Sequence, residues 1–259
     1  MIFLLACLTM TIDHIGYLWH SELQNPEIWR MIGRLSFPLF CWGIVRGYRL
    51  SRNRWKYAVR LLILACVSQI PFVLSFYGNI WGLNVGCTLL ALACIAIWEE
   101  ENFLTEIRRK RTRKKLERMV KILAIGVIAF LAGSWNIGGI SYGLGFDYGT
   151  YGVFAIFLLH IFWQQAWQSF VAFALLTGVM YYTNIPLLLK DIMSGNISQI
   201  PGAFGLLPGK INQWPSIFVI LLLYVPILQK YDFRFPMWLR YGFYPGHMMI
   251  LFIVHTYFW

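Results

Sequence analysis

Residues 57–77 read YAVRLLILACVSQIPFVLSFY, a run that carries one charge, Arg60, close to its start. At a rise of about 1.5 Å per residue such a run builds a helix roughly 30 Å long, the depth of a bilayer's hydrocarbon. A cluster of bases, Arg49, Arg52, Arg54 and Lys56, stands in front of it, and a second apolar run opens soon after it. Applied outward along the chain, the same rule predicts about nine spans. They lie near 1–19, 30–50, 57–77, 82–98, 119–136, 149–165, 167–187, 214–229 and 240–258. The expected fold is therefore all-α, a polytopic transmembrane helix bundle forming one domain over 1–259.

Composition agrees. Of 259 residues, 59% are apolar and only 13% charged, about half the charged share of a soluble domain. Lipid is expected to cover what polar side chains cannot. The net charge of +11 is not read as a nucleic-acid surface, because the bases fall in short runs between apolar segments. The run Arg108 to Lys115 and the cluster Arg49 to Lys56 read as cytoplasmic loops, whereas His20 to Glu27 holds two glutamates and no base. Positive loops stay inside, so the N-terminus is expected in the cytoplasm of a multi-pass plasma-membrane protein. The first stretch has no basic leader and no small-residue cleavage site, so it is expected to be a retained helix. Gly133 to Gly152 suggests broken or re-entrant backbone, and Lys190 to Gln213 an irregular outer loop. Cys7, Cys41, Cys66, Cys87 and Cys94 all sit in apolar runs with no metal spacing, and read as free buried thiols.

Ionisable groups inside spans are costly, about 2.5–3.5 kcal/mol each on insertion scales, and mark the bundle interior or a wet cavity. Asp13 and His14 fall about 20 Å up the first span. Arg30 and Arg34 are one helical turn apart on the second, flanked by Gly33 and Pro38, which permit close packing and a kink, with Arg46 about 18 Å further along the same expected helix. Asn84 and Thr88 share a face, as do Asp147 and Tyr151. Arg240, Tyr244 and His247 form a stripe on the last span beside Pro245. Plainer readings exist: Arg46, Arg49, Arg60 and Arg240 as topology anchors, Tyr244 in an interfacial belt, Asn84 in an interhelical hydrogen bond. Asp13, His14 and Arg34 are harder to explain that way. Histidine can take a proton near neutrality. Asp13 either fixes its tautomer or, since neighbours on a helix diverge by about 100°, pairs with an arginine. A base, a fixed cation and no covalent nucleophile suit direct acyl transfer, and equally a proton-coupled transporter.

Several strings, in order along nearly the whole chain, carry a resemblance. They are Asp13-His14-Ile15-Gly16, Arg30-Met31-Ile32-Gly33-Arg34-Leu35-Ser36-Phe37-Pro38, Gly47-Tyr48, Ser68-Gln69-Ile70-Pro71-Phe72, Leu83-Asn84-Val85, Asp147-Tyr148-Gly149 and Phe243-Tyr244-Pro245-Gly246-His247. Together they resemble the TraX family, which looks related to the multispanning acyltransferases that include acyltransferase-3 O-acetylases and heparan-α-glucosaminide N-acetyltransferase. The resemblance implies an acetyltransferase that takes acetyl-CoA from the cytoplasm, needs no metal, and modifies a pilin N-terminus, another peptide or a glycan. It implies His14 as general base supported by Asp13, and Arg34 as the cation near the thioester. Arg30, Asn84, Asp147, Tyr151, Tyr244 and His247 would line the cavity, and Arg46, Arg49, Arg60 and Arg240 would meet the donor phosphates. A transporter, or a non-catalytic assembly factor for pili or surface polymers, stands as the alternative.

Overall fold

The computed structural model describes residues 1–77, 84, 86–104, 111–133, 135–137, 140–142, 146–205, 213–226, 228 and 235–258. Arg108 to Lys110, Leu83 and Val85, and parts of the expected outer loop and of the stretch before the last helix lie outside the described residues. The described chain is helical: α1 (Ile2–Leu18), α2 (Pro26–Gly33), α3 (Ser36–Leu50), α4 (Arg54–Phe72), α5 (Gly86–Leu104), α6 (Arg111–Ala132), α7 (Gly149–Ile161), α8 (Ala166–Tyr182), α9 (Ile185–Met193), α10 (Trp214–Leu223) and α11 (Met237–Tyr257). The all-α expectation is modified at one place. Within the glycine-rich stretch, β1 (Trp135–Ile137) and β2 (Ile140–Tyr142) pair antiparallel, Asn136 opposite Ser141.

Two expected helices are interrupted. The run 30–50 divides at Arg34 and Leu35 into α2 and α3, so Arg46 is not on the helix of Arg30. Pro38 is the cause: it has no N–H to give the Arg34 carbonyl, and its ring would crowd that oxygen in a continuous helix. Restarting at Ser36 places Pro38 in a first turn, and Ser36 Oγ takes up the Gly33 carbonyl at 2.7 Å. Likewise α8 stops at Tyr182, and Asn184 caps α9 by accepting the Leu187 N–H at 3.1 Å. Pro71 lies inside α4, and two residues later the backbone widens into a π-helical segment, Val73–Tyr77.

Backbone packing gathers the elements into two units. The first comprises Met1–Gly43, Phe162–Phe243 and Ile250–Trp259. There α1 packs on α2 and α8 on α10. Trp42 stacks on Trp163 at 4.0 Å, and Tyr224 Oη meets Ser169 Oγ at 2.6 Å. A cavity of about 100 Å³ in this unit has an apolar lining that includes Leu5, Leu39 and Leu223. The second unit comprises Ile44–Ile161 and Tyr244–Met249. Its centre is α5, which meets α4, α6 and α7; Ala91, Cys94 and Ile95 are buried with Val153, Ile156 and Leu159. Small residues let helices approach closely enough for many weak dispersion contacts.

Outward faces are apolar. Leu62, Ile63, Val67 and Ile70 of α4 are exposed, as are Val120, Leu123 and Val127 of α6. Among the described residues one helical run, Arg54–Phe76, is long and apolar enough to cross a membrane, and α1, α7 and α10 are shorter apolar helices. None of the five cysteines is in a disulfide; Cys66, expected buried, is exposed on α4 because it lies on this outward side.

Candidate functional site

In the first unit the site residues are brought together by two glycines. A Cβ on Gly16 would lie 2.5 Å from the Trp29 Cβ, and one on Gly33 only 2.1 Å from the Asp13 Cβ. With hydrogens there instead, α1 and α2 close on each other until Asp13 and Arg30 meet. Arg30 Nη1 lies 2.9 Å from Asp13 Oδ2 and also donates to the Asp13 backbone oxygen at 3.1 Å. The guanidinium sits 5.1 Å from the centre of the Tyr17 ring. Both side chains are about nine-tenths buried. Arg34, which caps α2 and hydrogen-bonds back to the Arg30 carbonyl through its N–H at 3.1 Å, lies within electrostatic reach of the same carboxylate.

Of the two partners open to Asp13, the structure therefore gives it an arginine. Its carboxylate is held by Arg30, not turned to support His14. His14 follows it on α1 and is half-buried. Asp13 Oδ1 is buried and accepts no hydrogen bond among the described residues, an acceptor position in want of a donor. Arg240, the remaining candidate in this unit, is exposed in the first turn of α11.

The second unit holds the other candidates in several places. Asn84 is buried; its Nδ2 donates to Ser68 Oγ at 2.9 Å and its N–H to Gln69 Oε1 at 3.2 Å. Asp147 Oδ1 accepts the Tyr148 N–H at 3.0 Å, in the turn that leads to the buried Tyr151. The rings of Tyr244 and His247 lie 6.1 Å apart, and Ser75 Oγ of the π-helical segment donates to the neighbouring Met248 carbonyl at 3.3 Å. Arg46 is half-buried on α3. Arg60 is exposed and donates from Nε to the Lys56 carbonyl at 3.2 Å.

Arg49 belongs to a network that sequence reasoning missed. Its Nη1 donates to the His160 backbone oxygen at 3.2 Å and lies 3.5 Å from His160 Nδ1. His160 Nε2 is 3.1 Å from Glu99 Oε1. Glu99 Oε2 accepts from Tyr48 Oη at 3.3 Å and from Arg54 Nη1. The contacts fit a neutral imidazole with its proton on Nε2 facing the carboxylate. A signal was present in the sequence. His160 is the basic side chain of a largely apolar helix, and the expected threading puts the ends of α3, α5 and α7 and the start of α4 on one side. Among the described residues no three His, Cys, Asp or Glu groups assemble as metal ligands.

Comparison with known proteins gives two matches. The model of a family described as TraX protein matches residues 1–255. A probable fimbrial assembly protein, serogroup H1, of Dichelobacter nodosus is 39% identical over 69 residues, 26% of this chain. The match spans 28% of that relative's length. No solved structure matches.

Proposed function

The chain belongs to the TraX family, and from that premise we propose that it is a membrane-embedded acetyltransferase with a pilus-related role. It moves an acetyl group from cytoplasmic acetyl-CoA to an amine or hydroxyl of a membrane or surface acceptor. Apolar side chains exposed along α4 and α6 support a lipid environment, since a water-facing surface of that kind is an aggregation hazard. The nine-span threading with the N-terminus inside belongs to this reading.

The observation that carries it is the buried Asp13–Arg30 pair beside His14 and Arg34. A buried ion pair adds little stability over an apolar one, so its retention points to use. In the step proposed, His14 takes the proton of the acceptor amine or hydroxyl as that atom bonds to the thioester carbon. Arg34 stabilises the charge that develops on the carbonyl oxygen. The carbon–sulfur bond then breaks, and the proton passes from His14 to the leaving thiolate. Asp13 holds Arg30 in place.

The test is transfer of label from acetyl-CoA by purified protein reconstituted in lipid, wild type against His14→Ala. Transfer at the wild-type rate by the variant removes His14 from the reaction. The matching segment of a fimbrial assembly protein favours a second reading, a non-catalytic assembly factor. Failure of the purified protein to bind labelled acetyl-CoA would leave that one standing.

A further inference from the structure

We propose that Arg54, with Arg49 beside it, forms a binding site for a phosphate group at the basic edge of the second unit. Four helix ends build it: Tyr48 and Arg49 close α3, Arg54 opens α4, Glu99 lies near the end of α5 and His160 in the last turn of α7. An arginine that only anchors a helix at an interface keeps its side chain loose. Arg54 is held on two sides. Its Nη1 binds Glu99 Oε2 and its guanidinium plane lies over the Tyr48 ring, with 4.9 Å between Cζ and the ring centre. Tyr48 and His160 are themselves buried, so the support is rigid. More than half of the Arg54 side chain nevertheless remains exposed, 54%. Its contacts are with Glu99 through Nη1 and with Tyr48, by the ring face and a side-chain hydrogen bond, which leaves the exposed part of the planar fork to a ligand.

The charge balance points to an anion. Arg54 binds Glu99, a carboxylate that also serves His160 and Tyr48, and Arg49 adds a second guanidinium at His160. A planar fork fixed along one edge suits bidentate contact with a tetrahedral oxyanion better than with a single-point acceptor. The phosphate could belong to a soluble molecule or to a lipid headgroup. The inference rests on the donor reading above only in making a phosphate-bearing donor one source. Binding is measured without turnover, so the two ideas fail separately.

The test uses the full chain in nanodiscs. One arm measures radiolabelled pyrophosphate by equilibrium dialysis in phosphatidylcholine discs. The other measures retention of phosphatidic acid doped into such discs by mass spectrometry. Saturable binding in the first arm assigns a soluble ligand, and in the second a headgroup. In either case Arg54→Ala is expected to weaken it about tenfold, Arg54→Lys several-fold, and Arg52→Ala not at all. Should Arg54→Ala fail to fold, Arg54→Lys carries the comparison, and wild-type affinity in it overturns the site. No binding in either arm, or equal losses in Arg52→Ala and Arg54→Ala, does the same.

Discussion

Glu99 and His160 meet at 3.1 Å between Oε1 and Nε2, fastening α5 to α7 at the end where Arg49 and Arg54 gather. The carboxylate accepts from three side chains, so its charge matters more than its shape. Glu99→Gln keeps the shape and removes the charge, and a loss of about 1–3 kcal/mol is expected, towards the lower end because Glu99 is partly exposed. A lowered midpoint of thermal unfolding in detergent would show it; an unchanged midpoint would mean that the network contributes nothing to holding the helices.

Asp13 and Arg30 should behave as a unit. Asp13→Ala strands a buried guanidinium and is expected to cost about 3–5 kcal/mol. Replacing both, Asp13→Leu with Arg30→Met, removes the stranded charge as well and should recover most of that loss. If the double variant unfolds no later than the worse single one, the pair is not an energetic unit.

Gly33 tests the helix approach itself. An added methyl would lie 2.1 Å from the Asp13 Cβ, a clash with no flexible side-chain end to yield, and Gly33→Ala should destabilise by about 1–3 kcal/mol. Gly178, inside α8, has nothing within 4 Å of a built Cβ. There the same change should be neutral or stabilise by up to about 1 kcal/mol through helix propensity. Equal unfolding midpoints for the two alanine variants would contradict the close crossing of α1 and α2.

Cys66 distinguishes lipid from water on α4. It is exposed, while Cys94 is fully buried. Maleimide needs the thiolate, which forms poorly out of water. In intact membranes a charged maleimide should leave Cys66 unmodified, and denaturation in dodecyl sulfate should open both thiols to it. Rapid modification before denaturation would place that face in water.

Much of the helical layout was legible in the chain. The expected segments 1–19, 57–77 and 240–258 fall on α1, on α4 with its π-helical extension, and on α11, since long apolar runs bounded by bases or turn residues are local signals. Pro38 announced a kink, but not that the helix would break at Arg34 and Leu35. Gly133 to Gly152 signalled irregular backbone, but not that its strands would pair.

The sequence by itself determined which segments are apolar helices and which ionisable groups they carry, because propensity and periodicity act between residues a few positions apart. Tertiary structure alone decided the partners. It gave Asp13 to Arg30 instead of to its neighbour His14, and joined His160 to Glu99 and Arg49 from separate helices. The reason is geometric: a helix sends adjacent side chains about 100° apart, so what a buried charge meets is fixed by the element packed against it.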